Sequence, residues 1–170
     1  MVDAHTKAEY KGMKTYLTRD GKAGVAIKPD GDVVSLFSIS KERNSMGKLI
    51  PFAVAHGGRK LDCYGGGLQN MYARFGAKAK GKVAFNAEYA PYLWRRQSEE
   101  FRNNAANRPD VVAMTLPKSL TSLIRQYDRD ARVDLSKVRT YAEYDDMTRA
   151  RDRALDGRSA ALKAAFGTRG

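Results

Sequence analysis

Hydrophobic and polar residues alternate along this chain at two different periods, and the switch between them falls near residue 39. Before it, residues 13–18, 23–28 and 32–39 run with period two or gather β-branched and aromatic residues, the pattern of strands with a covered face. Arg19-Asp20-Gly21-Lys22 and Pro29-Asp30-Gly31-Asp32 separate them. Each holds an Asp-Gly pair, whose glycine accepts the positive φ of a tight hairpin. The spacing therefore predicts a three-stranded antiparallel meander, preceded by a short helix over residues 4–12.

After residue 39 apolar positions recur at helical spacing. Leu49, Ile50, Phe52, Ala53 and Val54 predict a helix over 47–56, with Pro51 tolerated in its first turn and Gly57-Gly58 ending it. A strand over 59–64, a Gly65-Gly66-Gly67 break, a helix over 68–75 closed by Gly76, and a strand over 81–85 follow. A loop over 86–108 carries the only tryptophan, Trp94, and leads to a last strand over 110–115. An antiparallel meander followed by βαβ units predicts a mixed α/β (α+β) sheet with helices on its faces and parallel strands in its middle.

Residues 1–117 read as that domain, and residues 118–170 as a helical C-terminal extension. Helical patterns cover 118–130 and 141–166, the second introduced by Thr140 with Glu143 three residues on, a capping box. Arg149, Arg151 and Arg153 alternate with alanine and Asp152 on a largely solvated helix, which can cover the domain, form an oligomer contact or bind a partner.

Charge and composition narrow the setting more than the chemistry. The net charge is +12, a field that attracts anions such as nucleic acid, acidic protein or a phosphate-bearing cofactor. It is spread out: residues 1–117 hold 19 basic and 11 acidic side chains, and residues 118–170 hold 12 and 8, with no dense basic arm. No apolar run approaches the roughly 20 residues that span a bilayer, and the N-terminus lacks a signal-peptide core. A single cysteine, Cys63, excludes an internal disulfide and a cysteine-based zinc cluster, and points to a reducing compartment such as the cytoplasm.

The candidate chemistry begins where the strand over 33–39 enters the polar loop Ser40-Lys41-Glu42-Arg43-Asn44-Ser45-Met46-Gly47-Lys48 and opens a helix. Free backbone N–H groups and a positive dipole end there favour an anion, and Lys41, Arg43 and Lys48 add fixed charge. A strand, a break and a helix carrying Met71-Tyr72-Ala73-Arg74-Phe75-Gly76 come next. Over residues ~13–115 the chain resembles the GNAT superfamily of N-acetyltransferases, in particular the short members found in bacteriophages and mobile elements. Its Tyr-x-x-x-Gly stretch, Tyr72 to Gly76, looks like the family's fourth-helix signature.

The resemblance implies acetyl-coenzyme A lying between two splayed parallel strands, 33–39 and 61–64. The pantetheine would pair with the backbone of Leu36, Phe37 and Ser38, and the pyrophosphate would rest on Arg43, Asn44, Ser45, Gly47 and Lys48, with Asn70 also at the cofactor. A base would take a proton from an acceptor amine, and Tyr72 would return one to the departing thiolate. Asp62 is the acid on the central strands nearest that centre, and alternation sets it on the face opposite Leu61 and Cys63. It suits either a general base or an ion-paired structural carboxylate. Tyr72 suits a catalytic acid or core packing. His56 suits a helix cap, and Tyr89, Tyr92 and Trp94 suit an acceptor pocket or a loop anchor.

The family's pyrophosphate loop holds two small residues, whereas here Gly47 is the one glycine. Two functions therefore stand side by side: an acetyl-coenzyme A-dependent N-acetyltransferase, encoded by a phage or mobile element and acting on an amine in the cytoplasm (the host's, for a phage protein), and a non-catalytic domain of the same fold that binds a host protein or nucleic acid.

Overall fold

The computed structural model describes residues 7–39 and 45–166. The helix expected over 4–12 lies partly outside them; residues 7–12 form turns. The meander is present as the pattern predicts, with β1 (Lys14–Leu17), β2 (Ala23–Ile27) and β3 (Val33–Ser38) paired antiparallel in that order. Gly21 and Gly31 turn the hairpins at φ 66° and 88°. The carboxylates of Asp20 and Asp30 accept the N–H groups of Lys22 and Asp32, each at 3.0 Å, closing both turns locally. Ile27 pairs with Val33 and Ala26 with Ser35, so Val34 is an extra residue, a bulge that sharpens the twist of β3 near its start.

The first helix, α1 (Ser45–Ala55), starts two residues before the expected 47–56. Pro51 consequently sits in its second turn, and the N–H that it lacks would have bonded the carbonyl of Gly47. Leu49, Ile50, Ala53 and Val54 bury that helix against β2 and β3. Its end is closed by Arg59, whose Nη1 donates to the carbonyls of Val54 at 3.0 Å and Gly58 at 2.7 Å. His56 is a helix-end residue too: Nδ1 lies 2.8 Å from the Phe52 carbonyl oxygen, and the ring stacks on Phe52.

The remaining elements are β4 (Lys60–Tyr64), α2 (Leu68–Ala73), β5 (Lys78–Val83), α3 (Tyr92–Arg95), α4 (Glu99–Asn103), β6 (Val111–Thr115), α5 (Leu120–Gln126), β7 (Thr140–Tyr141) and α6 (Tyr144–Phe166). The second sheet runs β4-β6-β5-β7. Strand β6 is inserted between β4 and β5 and is antiparallel to both, so the parallel strands expected to sit together in the middle are separated by it. Strand β5 begins three residues before the expected 81–85, because Lys78 and Ala79 pair with Thr115 and Met114 of β6, with Lys80 left over as a bulge.

The C-terminal segment departs most from its pattern. Thr140 and Tyr141, expected to cap and open the last helix, form the edge strand β7, parallel to β5. Helix α6 starts at Tyr144, with Asp145 and Asp146 in its first turn, where negative charge suits the dipole. Helix α5 covers only part of the expected 118–130 and is capped by Ser119, whose Oγ accepts the Ser122 N–H at 3.1 Å.

A large apolar core joins both sheets to α1, α2 and α5, through Val25, Ile27, Ile50, Val54, Leu61, Val112, Met114 and Leu123. A smaller one, Val83, Ala113 and Met147, lies where α6 crosses β5 and β6 on the other face. Gly81 makes that crossing close: a Cβ there would stand 2.8 Å from the Tyr141 ring and 3.1 Å from Met147. The C-terminal segment thus builds an edge and a cover of the second sheet. The long loop after β5 is pinned by Trp94, whose Nε1 donates to the Asn107 carbonyl at 2.7 Å and whose ring lies 4.9 Å from Phe85. Tyr89 and Tyr92 point outward, so of the three aromatics only Trp94 anchors. Among the described residues, no helix is long and apolar enough to cross a membrane.

Candidate functional site

Among the described residues, one strand-to-strand bridge links the two sheets. Asp32, at the start of β3, forms a single parallel bridge with Lys60, at the start of β4. Beyond it β3 stays with β2 and β4 with β6, so the two strands, which run in the same direction, part like the arms of a fork. Past Asp32, no described strand pairs with the edge of β3 that faces away from β2. Alternate peptide groups along that edge are directed toward the opening.

The two faces of the fork differ in chemistry, because alternation sends successive β4 side chains to opposite sides. Leu61 and Cys63 point into the large core, where Tyr72 of α2 is also buried. Burial, with a contribution from the charge of Asp62, pushes the Cys63 thiol up to about 12. Its Sγ lies 3.8 Å from Met114 Sδ. The Tyr72 hydroxyl is also pushed up, by burial first and then by Cys63, so it keeps its proton across the neutral range.

Lys60 and Asp62 point to the opposite face, under α6. Arg151, only 3% exposed, places its guanidinium on the Asp62 carboxylate, on the Leu61 carbonyl at 3.3 Å and on Asp152 at 3.0 Å. The Tyr144 hydroxyl donates to the other oxygen of Asp62. Lys60 Nζ continues the chain of charges, 3.1 Å from Asp152 and 3.3 Å from Asp30. A parallel bridge points paired side chains the same way, which puts Asp32 beside this network. Burial raises the Asp32 pKa first of all, and Asp62 and Asp30 raise it further, against the pull of Arg151 and Lys28.

The fork therefore separates the two residues proposed from sequence for proton transfer: Tyr72 lies on one face and Asp62 on the other. Of the residues assigned to the cofactor, Leu36 is buried in the core, while Phe37 and Ser38 are half-buried at the end of β3. Ser38 Oγ lies 2.6 Å from Ser45 Oγ, tying the strand to the start of α1. Gly47 and Lys48 occupy the first turn of α1, with Lys48 exposed. Arg43 and Asn44 lie outside the described residues. Asn70 sits away from this edge: its Oδ1 accepts the Val133 N–H at 2.8 Å and holds the segment after α5 against α2.

Sequence reasoning missed Asp32, Tyr144 and Arg151. Asp32 reads as a turn residue beside Gly31, and Arg151 reads as one of three solvated arginines, whereas it is the buried one. Met147 and Arg151, four residues apart on α6, gave the available signal: one face of that helix had to be covered. Among the described residues, no group of three His, Cys, Asp or Glu side chains is placed to hold a metal ion. Comparison of the chain with known protein families, curated proteins and solved structures finds no match. Fold and site together define a mixed α/β protein with one forked strand pair, apolar and tyrosine-bearing on one side and charged on the other.

Proposed function

We propose that this chain is an N-acetyltransferase-like protein of GNAT type, moving an acetyl group from acetyl-coenzyme A to an amine. The observation that carries the proposal is the fork: parallel β3 and β4, bridged at Asp32–Lys60 with no further strand pairing between them among the described residues, and α1 following β3. The β3 edge turned away from β2, around Leu36 and Phe37, offers peptide groups to the amides of a pantetheine arm, and the first turn of α1 offers N–H groups to a pyrophosphate. Tyr72, holding its proton in the core beside β4, is the donor for a departing thiolate.

A binding domain without chemistry is the second reading. What favours it is that Asn70 and Asp62, both carried over from the resemblance or its expected centre, serve Val133 and Arg151 instead. Titration calorimetry with acetyl-coenzyme A, against coenzyme A alone, separates the two. Micromolar binding that weakens in Arg43→Glu/Lys48→Glu supports the cofactor site, and release of free thiol that falls in a folded Tyr72→Phe supports the chemistry. No detectable heat from folded protein rejects the enzyme and leaves the binding domain.

A further inference from the structure

Asp62 cannot serve as a free base, since Arg151 and Tyr144 occupy both of its oxygens. Asp32 is in the opposite condition. It stands at the point where the strands part, is half-buried, and its carboxylate accepts no hydrogen bond from a described residue. The groups that face it are Lys28 and Asp30 from its own hairpin, Lys60 and Asp62 from β4, and Tyr144 and Arg151 from α6. Each cation among them except Lys28 is already engaged: Lys60 by Asp30 and Asp152, and Arg151 by Asp62 and Asp152. The result is a half-buried carboxylate with no hydrogen bond or ion pair of its own among the described residues.

We infer that Asp32 is the catalytic base of the acetyl transfer, and that the acceptor is an aliphatic primary amine arriving as its ammonium ion on the α6 face of the fork. The inference rests on the acetyltransferase proposal and deepens it. Burial and the neighbouring carboxylates make Asp32 more basic than an ordinary aspartate, which suits the work. Asp32 removes one proton from the ammonium. The freed lone pair forms the C–N bond at the thioester carbonyl carbon, the nitrogen gives its second proton to solvent, and the C–S bond breaks to leave the neutral amide. The thiolate takes the Tyr72 proton from the opposite face. Solvent then takes the proton from Asp32 and returns one to Tyr72, which restores both groups.

The test uses the full chain with acetyl-coenzyme A and three probe amines: cadaverine, spermidine and Nα-acetyl-lysine amide. Thiol release is followed from pH 5 to 9. For at least one probe, Asp32→Asn is expected to lower kcat/KM by ~100-fold or more. Asp32→Asn should also remove the rise of rate with pH, and Asp32→Glu should restore part of both. Calorimetric affinity for acetyl-coenzyme A should stay unchanged in both variants, and circular dichroism should show both folded. A folded Asp32→Asn that keeps the wild-type rate and pH profile overturns the assignment while leaving the acetyltransferase standing. Binding of acetyl-coenzyme A with none of the three amines acetylated overturns the substrate class. Absence of acetyl-coenzyme A binding removes the acetyltransferase itself, and Asp32 as its base falls with it.

Discussion

Replacing Arg151 with methionine keeps the length of the side chain and deletes its charge, which isolates the ion pair that fastens α6 to β4. Arg151 is 3% exposed and the Asp62 side chain 21%, so the variant leaves a mostly buried carboxylate whose remaining partner is Tyr144. Stranding a buried charge in this way costs about 3–5 kcal/mol, and the partial exposure of Asp62 together with the surviving hydrogen bond argue for the lower end, about 3 kcal/mol. Domains of this kind have about 5–15 kcal/mol in hand, so the loss is a large fraction of the whole. For a chain of this length that corresponds to a fall in Tm of roughly 6–12 °C.

Urea unfolding followed by circular dichroism reads the same quantity at constant m-value. Asp62→Asn should cost less, because Arg151 keeps Asp152 and the Leu61 carbonyl. The double variant Asp62→Asn/Arg151→Met strands neither charge and should lose less than the sum of the singles, by about 1–3 kcal/mol. A single Arg151→Met within about 0.5 kcal/mol of wild type would refute the reasoning, since that is the behaviour of a solvent-exposed pair.

Other consequences follow from single residues. Cys63, held as a thiol with its pKa pushed up to about 12, should react with iodoacetamide at pH 8 at least ~1,000-fold more slowly in the native protein than in urea; mass spectrometry of the alkylated chain reads the ratio. Asn70→Ala leaves the Val133 N–H without its acceptor and should cost about 1–3 kcal/mol by urea unfolding, with faster amide exchange confined to the segment after α5. Asp32 has a folded pKa raised above its unfolded value, so its contribution to stability is present at low pH and lost as pH rises from the unfolded value through the folded one. Asp32→Asn should therefore raise Tm at pH 7 and leave it little changed at pH 3; a fall in Tm at pH 7 would show that the ionised form is favoured in the fold.

The meander was legible because its signals are local: the Asp-Gly turns and short alternating runs state both the strands and their hairpins without help from the rest of the chain. Helices α1 and α2 were legible for the same reason, through helical spacing and the glycines that follow them. The neighbours of β4 and β5 were not. Which strand lies between them depends on β6, and nothing in local periodicity records a pairing between residues as distant as Lys60 and Thr115. Edge strand β7 spans only Thr140–Tyr141, too short for any period to show, and its Thr140 also fits a helix cap. Alternation did put Asp62 on the face opposite Cys63. The ion pair that engages it, however, comes from Arg151, 89 residues away. Asp32 went unnoticed because one residue does two jobs, closing a turn through its N–H and placing a carboxylate at the fork through its side chain.

The most direct test of the central claim is nuclear magnetic resonance of the ¹⁵N-labelled chain titrated with acetyl-coenzyme A. If the fork is a cofactor seat, the amides of residues 34–38 on β3, 61–64 on β4 and 45–49 at the start of α1 should shift together, with one saturation curve. Shifts absent from these three segments, or confined to the outer faces of α5 and α6, would contradict it and mark the chain as a binding domain whose partner lies elsewhere.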